Sequence, residues 1–215
     1  MPPPQSVRIR KLDLAIKLQQ VGHHPKPDVA LEQYTIPADM AAEILFQACY
    51  TYGDIENKTV ADLGSGTGRL ALGASILGAE YVIGVDLDLL SLNLASRTGR
   101  DLGLRVDWVL SDIQTLRGPV NTVLMNPPFG TKRPHADIKF LQIALTLGEV
   151  TYSIHKSSTR RHINRWLTEQ GAEAERILSG GMDIPHQFSF HKRKRGRVAV
   201  DVFRIQRRYT DVVGR

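Results

Sequence analysis

Apolar positions along this 215-residue chain follow two different periods. Over residues 8–21 (RIRKLDLAIKLQQV), Ile9, Leu12 and Ile16 recur at helical spacing, joined at times by Leu14 or Leu18, and predict an amphipathic helix. Gly22, Pro25 and Pro27 interrupt residues 22–30 and predict a loop. Pro37 suits a first helical turn, so a second helix is expected through Met40, Ile44 and Leu45 to about Cys49. Residues 1 to about 50 are thus expected as a helical N-terminal extension of a single domain spanning 1–215.

Beyond this extension, short apolar runs alternate with helical stretches. Strands are expected at Lys58–Leu63, Tyr81–Asp86, Val106–Leu110, Val120–Met125, Val150–Ile154 and, briefly, Glu175–Leu178. Val198–Ile205, with Val198, Val200 and Val202 alternating, predicts the last one. Helices are expected at Leu70–Leu77, stopped by Gly78, and Leu89–Leu102, stopped by Gly103, then at Ile138–Leu147 and about Thr159 to Glu169. This alternation implies right-handed crossovers and an α/β fold with a mostly parallel sheet. Ligands of such sheets bind beyond the carboxyl ends of the strands.

Composition narrows the picture. Cys49, the single cysteine, sits among apolar neighbours and suits inert packing; one thiol makes neither an internal disulfide nor a cysteine-rich metal site. His23-His24 lacks a third ligand at metal spacing, so both are read as surface histidines and no metal is expected. With no apolar run of about 18 residues and no secretory pattern at Met1-Pro2-Pro3-Pro4, a cytoplasmic protein away from membranes is expected. The net charge of +6 is compatible with a polyanionic partner, and Lys192-Arg193-Lys194-Arg195 concentrates it.

The ends of the first four strands carry candidate chemistry. Asp62-Leu63-Gly64-Ser65-Gly66-Thr67-Gly68 joins the first strand to its helix, where glycines let the backbone approach a ligand. Arg69 follows, so the Gly-x-Gly-x-x-Gly fingerprint is incomplete, and no Gly-Lys-Ser/Thr marks a triphosphate loop. Asp86, at the end of the second strand and 22 positions after Gly64, can accept from ribose hydroxyls, and Asp112, after the third, from an adenine amino group. Carboxylates ending three successive strands point to a nucleoside-containing cofactor. Together these residues resemble the pattern of Rossmann-like methyltransferases.

Asn126-Pro127-Pro128-Phe129 follows the fourth strand. An aromatic amino nitrogen is a poor nucleophile because its lone pair is conjugated with the ring. The Asn126 side-chain oxygen and the Pro127 carbonyl could accept its two hydrogens and favour a tetrahedral nitrogen. Pro127 and Pro128 stiffen the turn, and Phe129 offers a face to a base. These four residues are the expected catalytic set, acting by positioning without metal or covalent intermediate.

These stretches, with Leu31-Glu32-Gln33-Tyr34, Ile55-Glu56-Asn57-Lys58, Met125–Lys132 and His155-Lys156-Ser157-Ser158-Thr159-Arg160, resemble the small-subunit ribosomal RNA adenine-N6 methyltransferases of eukaryotes and archaea. The resemblance implies a Rossmann-like class I methyltransferase fold, seven-stranded with the last strand antiparallel. It implies S-adenosylmethionine as cofactor, held by Gln33, Asp62, Gly64, Gly66, Thr67, Arg69, Asp86, Asp112 and Ile113. It also implies formation of N6-methyladenosine in RNA, with Phe129, His155, Lys156, Lys192 and Lys194 meeting the substrate.

Other activities share the Asn-Pro-Pro-aromatic turn, namely methylation of DNA adenine and of a protein glutamine amide. A non-enzymatic reading is an RNA-binding ribosome assembly factor. The resemblance also places the third strand at a sheet edge, where Arg105–Leu110 would present Val106, Trp108 and Leu110 as an apolar row. Related methyltransferases bind a small zinc-containing activator subunit by strand addition, and such a partner is expected here.

Overall fold

The computed structural model describes residues 8–28, 32–130, 135–185 and 195–207. Helices α1 (Lys11–Gln19) and α2 (Ala38–Tyr50) precede β1 (Thr59–Leu63), α3 (Arg69–Ile76), β2 (Tyr81–Asp86), α4 (Leu89–Asp101) and β3 (Asp107–Leu110). Then come β4 (Val120–Met125), α5 (Ala136–Leu147), β5 (Gly148–Lys156), α6 (Arg160–Glu169), β6 (Ala172–Pro185) and β7 (Arg195–Arg207). The seven strands form one sheet in the order β3-β2-β1-β4-β5-β7-β6. β1 to β5 are parallel to their neighbours, and β7 runs antiparallel to both β5 and β6.

Period-two alternation decides what covers each face. Val60, Leu124 and Tyr152 join the cluster under α1, α2 and α3, whereas Ala61, Leu63, Val123 and Met125 join the one under α5 and α6. Burial on both faces is why consecutive positions are apolar at Val60-Ala61 and Val123-Leu124-Met125. Order reverses between β1 and β4, and both lead at their carboxyl ends into the segments that carry the chemistry.

Two expectations are corrected. On α1 the buried pair is Leu14 and Leu18, while Leu12 is 66% and Ile16 50% exposed. Both pairs have i, i+4 spacing, so the helix alone cannot choose between them. Gly73 of α3 makes the choice: a Cβ there would lie 2.3 Å from Leu45 and 3.3 Å from Leu18, so its absence opens the slot these leucines fill. β6 is a 14-residue strand paired with β7 along its length, not a short one. Ser179, Gly180, Gly181 and Asp183 hide it from an apolar pattern; from Gly181 onward the ribbon passes beyond the Lys156↔Val200 pair that ends β5.

The edge position of β3 is as expected, but Trp108 turns inward. A Cβ on Gly84 would lie 2.3 Å, and one on Gly68 2.5 Å, from the Trp108 ring, so the indole occupies space that two glycines leave open. Ser111 N–H donates to the Asp86 carbonyl at 3.0 Å. By alternation, the N–H groups of Asp107 and Val109 also face β2, and those of Trp108 and Leu110 face outward. Cys49 is a buried free thiol in α2. Among the described residues no helix is long and apolar enough to cross a membrane, and no group of three or more His, Cys, Asp or Glu could hold a metal ion.

Candidate active site

A cavity of about 280 Å³ lies where the carboxyl ends of β1, β2, β3 and β4 converge, lined by the glycine loop, Asp86, Asp112, Ile113, Asn126 and Pro128 among others. Its floor begins with the turn after β1. Gly64 N–H and Ser65 N–H both donate to the Val85 carbonyl, folding the loop back over β2. Gly68, with φ +85° and the Trp108 ring beneath it, could not carry a side chain without strain.

The strand-end carboxylates are held by backbone donors. Asp86 Oδ2 accepts from Gly66 N–H at 2.7 Å and Oδ1 from Asp88 N–H at 2.9 Å. Burial pushes the Asp86 carboxyl above its usual range, against the pull of these N–H groups. Asp62 is fully buried and accepts from Ala71 N–H at 2.9 Å; burial pushes its pKa up to about 7. Asp112 caps a short 3-10 turn, accepting from Gln114 N–H at 2.9 Å, and this turn sets the buried Ile113 beside the cavity.

Asn126 stands at the far side. Its Nδ2 donates to the Tyr34 carbonyl at 3.0 Å, which fixes which end of the amide is which. The Asn126 Oδ1 is buried without a partner among the described residues, as are the Ser65 and Thr67 hydroxyls in the opposite wall. Buried polar atoms are seldom left unsatisfied, so a cavity bounded by several of them suits a ligand that supplies donors and acceptors to both walls. That fits a nucleoside-bearing cofactor on one side and an amino group on the other.

The cover is formed by residues within 21–28 and 32–36, most of which the sequence pattern does not single out. Gln33, expected at the cofactor, donates through Nε2 to Asp88 at 2.8 Å and accepts from Asp28 N–H at 2.7 Å. His24, read as a surface residue, instead lines the cavity with Nε2 2.9 Å from Asp88. Burial would raise the Asp88 carboxyl, but the bonds from Gln33, Leu90 and Ser91 outweigh it and hold the group below its usual range. Arg69 reaches the cavity, yet its two terminal nitrogens donate to the Val21 and Ile36 carbonyls; only Nε–H lacks a partner.

The substrate set fares unevenly. Phe129 is 7% exposed, with the Tyr34 ring centroid 6.3 Å away and the Lys156 ammonium 5.6 Å from its own centroid. Its face is therefore not an open platform in this arrangement. His155 is corrected: at 1% exposure it lies in the core, bonded through Nε2 to Ser153 Oγ at 2.7 Å. Burial drives its pKa down to about 3, so the ring is neutral; Asp137, 3.9 Å from Nδ1, is beyond hydrogen-bond reach. The alternation of β5 points His155 inward and leaves Lys156 partly exposed at the strand end. Lys192 and Lys194 lie outside the described residues.

Comparison with known proteins agrees with this geometry. The profile described as the methyltransferase small domain matches residues 36–145. The rRNA N(6)-adenosine-methyltransferase METTL5 of Danio rerio is 37% identical over 195 residues, covering 87% of this chain and 94% of that protein. Mettl5 of Drosophila melanogaster, with the same designation, is 36% identical over 208 residues, covering 93% and 97%. A crystal structure from Pyrococcus horikoshii, provisionally described as an RNA methyltransferase, matches with TM-score 0.85 at 39% identity, covering 94% of this chain and 99% of that one. The agreement runs through nearly the whole of each relative and not the cofactor loop alone, and on that basis this chain belongs to the methyltransferase small domain family, alongside the rRNA N(6)-adenosine-methyltransferases, with S-adenosylmethionine as its methyl donor.

Proposed function

We propose that this chain methylates the N6 amino group of an adenosine in RNA, with small-subunit ribosomal RNA as the substrate. The observation that carries the reading is Asn126: its amide is oriented by the Tyr34 carbonyl so that a buried, unpartnered oxygen remains for an amino hydrogen. S-adenosylmethionine supplies a methyl group made electrophilic by a positive sulfur. Asn126 Oδ1 and the Pro127 carbonyl accept the two amino hydrogens, drawing the nitrogen lone pair out of conjugation and toward that carbon. A nitrogen–carbon bond forms as the carbon–sulfur bond breaks, and the surplus proton passes to solvent. Asp86 holds the cofactor ribose, Asp112 and Ile113 its adenine, and the free Arg69 Nε–H its amino-acid end. Asp62 stiffens the floor through Ala71.

The adenine must be unpaired or flipped out to reach Asn126. Entering against Phe129, it would displace the Lys156 ammonium, which can then meet a neighbouring phosphate. Lys192 and Lys194 add phosphate contacts beside the pocket. The chain works as one domain, 1–215, in the cytoplasm, with residues 1 to about 50 as its helical extension. Incubation with labelled S-adenosylmethionine, fractionation of RNA, DNA and protein, and nucleoside analysis of the labelled fraction test the reading. Labelled N6-methyladenosine in small-subunit ribosomal RNA is expected; label in DNA or in protein glutamine would overturn it.

A small zinc-binding activator subunit adds a strand to the 105–110 edge. Leu110 is 52% exposed and pairs in register with Asp86, next to the exposed Leu87, Leu89 and Leu90, so apolar surface adjoins the open backbone groups. Leu110→Pro removes an outward N–H while sparing the β2 ladder. Loss of the co-purifying subunit with cofactor binding retained is the expected result; an unchanged complex would put the interface elsewhere.

A further inference from the structure

Residues 21–28 and 32–36 form a strap beside the cavity, and one side chain holds its two ends. Arg69 opens α3 immediately after the glycine loop and is 5% exposed. Its guanidinium forks between the Val21 and Ile36 carbonyls, bridging points that the chain itself separates by 15 residues. No salt bridge to a carboxylate accompanies it among the described residues. Burying a guanidinium without a counter-charge is costly, so the gain must come from what the fork positions. Two residues before Ile36, the Tyr34 carbonyl receives the Asn126 amide. Between these ends, His24 on the first segment and Gln33 on the second meet Asp88, whose N–H in turn binds Asp86.

We propose that Arg69 is a positioning residue for methyl transfer: by fixing the Val21 and Ile36 carbonyls at the two ends of the strap it sets the nearby Tyr34 carbonyl, and through it the orientation of the Asn126 amide. The proposal rests on Asn126 acting as the acceptor of the amino hydrogens. It separates two jobs of the cofactor loop. Gly64 to Gly68 shape the floor, and Arg69, the next residue, sets the angle of a group on the opposite wall. Without the fork, Asn126 can rotate its amide and present nitrogen where oxygen is needed.

A double-mutant cycle tests this. Arg69→Met keeps the volume and removes the donors. Single-turnover transfer to an unmodified small-subunit ribosomal RNA transcript is measured with S-adenosylmethionine saturating for each variant, as set by calorimetry. In the wild-type background Arg69→Met should slow transfer roughly 10- to 100-fold; in the Asn126→Ala background it should cost less than about twofold, because the group it positions is gone. The same factor in both backgrounds would overturn the proposal and leave the catalytic reading intact. Near-normal turnover of Asn126→Ala alone would instead overturn the catalytic reading. Should Arg69→Met fail to fold, Asp88→Asn loosens the strap at its middle while keeping an N-cap for α4. It should show the same non-additivity with Asn126→Ala at smaller size, and a purely multiplicative loss would count against the strap.

Discussion

The floor of the cavity and its cover are built from different materials. The floor uses side chains at strand ends, Asp62, Asp86, Asp112 and Asn126, each at a position that strand–helix alternation fixes. The cover is held mainly through main-chain carbonyls, those of Val21, Tyr34 and Ile36, which receive Arg69 and Asn126. A side chain announces itself by residue type; any residue supplies a carbonyl. The strand-end side chains are therefore visible in the sequence, whereas the reach of Arg69 to two distant carbonyls is not.

Four measurements press on this comparison. The largest effect should come from Asn126→Ala, where floor and cover meet. Transfer should fall on the order of a hundredfold or more while S-adenosylmethionine affinity by calorimetry stays within a few fold. Next, Asp86→Ala should weaken cofactor binding by about tenfold to over a hundredfold, the loss of one charge-assisted hydrogen bond. If the cover is the lesser contributor to binding, Gln33→Ala should cost less in the same titration.

Gly84→Ala probes the floor from below. The added Cβ would lie 2.3 Å from the Trp108 ring, so overpacking should destabilise the domain by about 1–3 kcal/mol in urea melts, and Trp108→Leu should recover part of it. The last effect is one of pH. Folding raises the Asp62 pKa to about 7 from the ordinary value near 3.8, so the folded state holds a proton that the unfolded state has lost between these values. Stability from this group is therefore present below pH about 4, falls as pH rises and levels off above about 7. The stability difference between Asp62→Asn and wild type should grow in favour of the variant across that window; a difference independent of pH would show that Asp62 stays ionised.

The bounds of β2 and β4 are legible to the residue, because Asp86 closes the one and Asn126-Pro127 follows the other. It misassigned the buried side of α1, since choosing between Leu12/Ile16 and Leu14/Leu18 required the slot at Gly73 in a helix some fifty residues away. Trp108 was expected on the outer edge, but only the pairing of Gly84 with Trp108 across β2 and β3 reveals the room inside. His155 occupies a strand-end motif, yet alternation along β5 sends it inward, where Ser153 satisfies it. His24 lacked metal spacing and was set aside; its partner is a helix cap, Asp88, more than sixty positions on.

The β6–β7 ribbon has a consequence for the order of assembly. Its strands are antiparallel and linked through residues 186–194, so their pairing closes a short loop, whereas each parallel pair must wait for a helical crossover. The ribbon is therefore the part of the sheet able to zip first, giving β5 an edge to dock on. The bonds from Arg69 to Val21 and from Asn126 to Tyr34 bridge 48 and 92 positions, and such distant closures come late. On refolding, sheet signal should return ahead of methyl-transfer competence, because the groups that aim the chemistry are the last to find their places.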